Sequence, residues 1–204
     1  MKKQLIRWTA LLLLAAMTLS LTGCGETKKA ENAVKGMFLA LKRFDFNAAQ
    51  EFVNVGDLSL VGDTGDSSDV AGLSKQDVAV MKELFNRLDF RILSSEKIDS
   101  DTVTVLTDVT AVNMKPVVMD FSIRLVGYAL GSAFSSKKTS DKKTVQAISE
   151  LLMESIRETE TTTTTTKVSI KVVRNGDSWR VETGPTFLDA LFGGGVTALA
   201  KLAT

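Results

Sequence analysis

The chain has 204 residues, with 25 Lys+Arg against 24 Asp+Glu, no His and a single Cys. Without His there is no Ser-His-Asp or Cys-His machinery and no imidazole metal ligand. One Cys allows neither an internal disulfide nor a thiolate metal centre. The near-neutral charge gives no electrostatic case for a nucleic-acid partner.

The first 23 residues carry Lys2, Lys3 and Arg7 and no acid. An apolar run from Trp8 to Leu21 follows, shorter than the roughly 20 residues of a spanning helix, and then Leu21, Thr22, Gly23 and Cys24. A basic region, an apolar region and a small-residue cleavage site form an export signal. Leu21-Thr22-Gly23-Cys24 resembles the lipobox of bacterial lipoproteins, and the only Cys of the chain stands where a lipobox requires it. The resemblance implies cleavage before Cys24, a diacylglyceryl group on its sulfur, and a mature chain with 22 basic and 24 acidic residues. Two or more acyl chains hold a protein firmly where one does not. The expected address is the extracytoplasmic face of the cell membrane, with no cofactor beyond the covalent lipid.

After Cys24, residues 25–31 are polar and read as a short tether. Ala30, Val34, Phe38 and Leu41 recur at helical spacing and predict a helix over about 29–43. Asp45 is placed to cap a second, short helix bearing Phe46, Ala49 and Phe52/Val53. Residues 54–73 are rich in Gly, Asp and Ser and read as a loop. Its Asp57, Asp63, Asp66 and Asp69 offer oxygen ligands of the kind calcium takes, but their spacing lacks the alternation of an EF-hand loop. We read them as solvated and assign no metal. Ser74-Lys75-Gln76-Asp77 resembles a capping box opening a helix with Val78, Met81, Leu84/Phe85 and Leu88.

The period then changes to two. Residues 89–98 predict a strand, Asp99-Ser100-Asp101 a turn, and Val103, Val105, Thr107, Val109 and Ala111 one face of a long second strand. Val117–Phe134 is a strongly apolar helix, with Asp120 and Arg124 spaced for an ion pair. Apolar nearly all round, it is expected to bury itself against the sheet, with docking on a membrane or partner helix as the alternative. A polar loop and a helix with Val145, Ile148, Leu151/Leu152 and Ile156 follow. Thr161–Thr166 reads as the start of a long strand rather than a glycosylated stalk. Asn175-Gly176 is the favoured pair for a two-residue hairpin turn, which would set Arg174 against Asp177 and Val172 against Trp179. Pro185 opens a short helix around Phe187–Phe192, and residues 193–204 read as a flexible tail.

The expected fold is α+β. N-terminal helices pack on a curved antiparallel sheet of about four strands, with a helical insertion between two strand pairs, as one domain over 32–192. The order of elements, the helix VKGMFLALKRFD (34–45) and the hairpin KVVRNGDSWRV (171–181) resemble lipoproteins of Gram-positive bacteria. Their extracellular domains are similar to the cone-shaped fold of nuclear transport factor 2 and to cystatin-like folds. The resemblance implies a pocket between helices and sheet. Candidate pocket residues are Asp120 and Tyr128, eight apart on one helix, and Trp179. An Asp base with a Tyr donor suits proton transfer beside a carbonyl; the simpler reading pairs Asp120 with Arg124 and packs Tyr128 and Trp179. The function expected is a non-enzymatic binding module for a small apolar ligand, a peptide or an envelope protein. A small pocket enzyme and an accessory protein that presents a partner are the alternatives.

Overall fold

A computed structural model describes residues 25–54, 75–133 and 141–202. Helix α1 covers 25–42 and α2 Phe46–Gln50, followed by α3 (Lys75–Asn86). Strands β1 (Asp89–Lys97) and β2 (Thr102–Val112) lead into α4 (Lys115–Ala133) and α5 (Asp141–Glu158). Strands β3 (Thr163–Asn175) and β4 (Ser178–Glu182) precede α6 (Pro185–Leu191) and α7 (Gly195–Leu202). The strands form one open antiparallel sheet in the order β1-β2-β3-β4, and the class is α+β. The helical insertion lies between β2 and β3, where the sequence pattern puts it.

Strand β2 is the centre of the sheet. Its residues alternate from Thr102 to Ala111, with Val103, Val105, Thr107, Val109 and Ala111 buried and the residues between them half-buried, and Val112 at its end is buried as well. All eleven of its residues pair with β3, from Thr102 with Val173 to Val112 with Thr163. The Thr run thus opens β3, and Thr110 and Thr165 share a hydroxyl hydrogen bond of 2.8 Å on the outer face. That face is polar, carrying the Arg91–Asp108 and Lys171–Glu182 ion pairs. The inner face packs against α1, α3 and α6 through Val34, Phe38, Leu41, Val78, Phe85 and Phe187. Phe38 stacks on Phe90 at 4.8 Å between ring centroids. In β1 a bulge between Ile92 and Ser94 adds Leu93 and bends the strand, a feature the alternation does not announce.

Helix ends follow their side chains. The Asp45 carboxylate accepts the Ala48 N–H at 3.0 Å and caps α2 as its position predicts. Helix α1 ends with Phe44 at φ 61°, an unfavourable conformation for a residue with a Cβ. Its ring lies edge-on to Phe46 and Phe85, and that packing holds it there.

Three expectations change. Residues 25–31 are helical, not a tether: Ala30 is fully buried, and Glu26 forms ion pairs with Lys97 and Arg174 at one end of the sheet. The hairpin turns on Gly176-Asp177, one residue later than predicted, so Arg174 faces Trp179 and Val172 faces Val181. Gly176 (φ 61°) takes the first central position. The shift moves each pairing by two, so every side chain keeps its predicted face. Residues 193–202 are not a loose tail. The Gly193 and Gly194 amides donate to the Ala190 and Asp189 carbonyls, a Schellman end to α6, and α7 then packs on α4. Gly193 has φ 52°, and a Cβ there would lie 2.0 Å from the Val112 carbonyl oxygen, so only glycine fits.

Thr107 is fully buried on β2 and its hydroxyl has no hydrogen-bond partner among the described residues. Thr107→Val keeps the shape and removes the unpaired group. It is expected to stabilise the domain by about 1 kcal/mol and raise Tm by roughly 2–4 °C, read by thermal denaturation; a lower Tm would show that the hydroxyl is satisfied in solution.

Candidate apolar pocket

Helix α3 places Met81, Leu84 and Phe85 on one face, and Leu88 follows between its end and β1. These four form one wall of a pocket of about 300 Å³. Ala111 and Val112, at the end of β2, and Met114 form its floor; Leu152, Met153 and Ile156 of α5 close one side. Leu191 and Phe192 at the end of α6 close the other. They reach it because Gly193 lets the chain turn tightly against Val112. Every lining side chain among the described residues is apolar. The pocket offers dispersion contacts and removal of apolar surface from water, which suits hydrocarbon.

The residues singled out from the sequence lie elsewhere. Asp120, Tyr128 and Trp179 are not among the lining residues. Asp120 and Tyr128 both belong to α4, about 12 Å apart along its axis at 1.5 Å per residue. Asp120 pairs with Arg124, whose Nε donates to its carboxylate at 2.5 Å. The same guanidinium reaches Glu154 at 3.1 Å and Glu158 at 2.5 Å, so one cation holds three carboxylates and ties α4 to α5. The hydrogen bond from Arg124 holds the Asp120 carboxyl below its usual range. An acid in that state is a structural anion, poorly suited to taking a proton near neutrality. Trp179 is buried in the main core, with the Arg174 guanidinium 5.1 Å above its ring.

Leu21, Thr22, Gly23 and Cys24 lie outside the described residues, as do Asp57, Asp63, Asp66 and Asp69. Among the described residues no cluster of three His, Cys, Asp or Glu side chains is arranged to hold a metal. No helix among them is long and apolar enough to cross a membrane.

The sequence pattern named most of the pocket wall as helix faces without placing them together. Met81, Leu84/Phe85 and Leu88 were visible as one helical stripe, and Leu152 and Ile156 as one stripe of α5. Met114 carried no such signal, because it lies in the turn after β2, and Leu191 and Phe192 stood only as the end of a short helix, with no face assigned. Helix α4 departs most from expectation. It packs on α5 and α7 rather than on the sheet, and only Val117, Val118 and Phe121 are buried. Comparison with family models, curated proteins and solved structures finds no match for the chain.

The Arg124 cluster predicts a pH dependence. A carboxyl whose folded pKa is depressed contributes stability above its unfolded value, about pH 4, and loses it as pH falls through the folded value. Arg124→Leu is therefore expected to lower Tm most near neutral pH, with the gap from the unaltered chain closing below about pH 4. Thermal melts across pH check this; a gap independent of pH would assign the effect to packing alone.

Proposed function

We propose that the protein is a lipoprotein of the cell envelope, anchored by acyl chains on Cys24, whose domain binds a small apolar ligand without acting on it chemically. The observation that carries the binding is the pocket of about 300 Å³ with no polar side chain among the described residues of its lining. That volume is at the lower end for small-molecule sites, about 300–1,000 Å³. The address rests on the basic residues, apolar run and Leu21-Thr22-Gly23-Cys24 of the N-terminus.

The two halves of the proposal fit one geometry. Glu26 is bound to Lys97 and Arg174, beside the β1–β2 turn. An anchor on Cys24 thus holds that end of the sheet near the membrane. The pocket lies at the other end of β2, about 35 Å away for eleven extended residues. Its ligand is then a molecule other than the protein's own anchor.

Two measurements test the halves separately. An alkyne-bearing palmitate fed to the host is expected to label the full chain and not Cys24→Ala. A fluorescent medium-chain fatty acid is expected to bind saturably, and Met114→Trp, which fills the pocket, to weaken it about tenfold. Persisting label on Cys24→Ala removes the anchor; absence of saturable binding removes the ligand.

A further inference from the structure

Helix α4 presents a seam that nothing described in the chain covers. Met119, Ile123, Val126 and Leu130 are 68, 66, 60 and 57% exposed. Their spacing of four, three and four residues is the alternation of the a and d positions of a coiled coil. A helix that lies in a lipid interface carries a wider apolar arc and basic residues along its polar face. Here the flanks are Asp120, Ser122, Gly127 and Ala129, with no basic residue among them. The seam fits another helix.

We propose that this helix is α4 of a second copy of the chain, packed antiparallel across a two-fold axis. The four-three-four spacing reads the same in both directions. An axis beside Arg124 and Leu125 sets Met119 against Leu130 of the second copy and Ile123 against its Val126, a self-complementary contact. Antiparallel order sets Asp120, the one charged flank, beside Gly127 of the second copy, so no like charges meet across the seam. Gly127 also faces outward, and a Cβ there would meet nothing within 4 Å. No contact in the described chain requires a glycine at this helical position, where it is disfavoured, whereas close approach of a second backbone does. The four seam side chains leave on the order of 500 Å² of apolar surface in water, at the top of the range for the largest patch on a monomer. Leu199 and Leu202 of α7, the helix packed beside α4, are also exposed. The seam alone is thus more than half of the roughly 800 Å² per partner of a standard interface. The pairing does not depend on the pocket or on the lipid anchor.

Crosslinking of the full chain tests the proposal. Cys24 is the sole native cysteine, so the unsubstituted chain is the control. Ile123→Cys with Val126→Cys is expected to give a disulfide-linked dimer under mild oxidation, joined 123 to 126 by peptide mass spectrometry. Gln146→Cys, exposed on α5, is expected to give none. In sedimentation velocity the full chain in mild detergent runs as a dimer, and Ile123→Asp or Val126→Asp weakens it by roughly 30-fold or more. Both positions face solvent in the single chain, so neither change threatens its folding. Links only of 123 to 123 and 126 to 126 would overturn the antiparallel pairing. A monomer overturns the proposal, whether its introduced cysteines react freely, are shielded by the chain's own residues 55–74, or are shielded only by phosphatidylglycerol vesicles. Crosslinks solely to a different protein overturn it as well.

Discussion

The alternation along β2 governs the rest of the molecule. Because Val103, Val105, Thr107, Val109 and Ala111 all face inward, a shift of one residue would turn the whole set to solvent. With both neighbouring strands hydrogen-bonded to it, β2 fixes the register of β1 and β3. The inner face must be covered, and α1, α3 and α6 cover it with Val34, Phe38, Phe85 and Phe187. The outer face is left to threonines and ion pairs, as antiparallel sheets allow. The end of β2, at Ala111 and Val112, is where this cover thins and where the pocket forms.

Helices α4 and α5 form an arm set on that end of the sheet. Burial is concentrated at its base, in Val117, Val118 and Phe121 of α4 and in Met153, Ser155 and Ile156 of α5. Arg87 donates to the Thr161 hydroxyl and carbonyl, and Arg157 pairs with Asp77, so α3 holds the base from a second side. At the same level, Arg124 and its three carboxylates tie α4 to α5 from the more exposed side. The same base supplies Leu152, Met153 and Ile156 to the pocket. Any displacement of the arm at its base therefore alters the pocket wall.

Much of this was legible in the pattern of residues. The strands, the β1–β2 turn, the Asp45 cap, the Thr run as strand and the Asp120–Arg124 pair are all local, decided by neighbours within four or five positions. The misreadings share one cause. Residues 25–31 look polar, yet Glu26 is held by Lys97 and Arg174, partners more than 70 residues away. Gly193-Gly194-Gly195 looks like a linker, yet Gly193 is required by the approach of Val112 across 81 positions. The hairpin turn moved by one residue with no change of face, because the buried side of β3 constrains parity more firmly than the turn constrains position.

The sequence alone determined the α+β class, the order of the elements up to α6, the inward faces of β2, β3 and β4 and the charge pairing on α4, since each follows from periodicity and nearest-neighbour chemistry. Only the tertiary structure decided that α3, α5, α6 and the end of β2 meet around an apolar space, and that Asp120, Tyr128 and Trp179 stand apart from it. It also decided which face of α4 stays in water. A helix apolar on nearly every side does not encode which side finds a partner; that choice is made by the geometry of α5 and α7, which cover one arc and leave the Met119–Leu130 seam open.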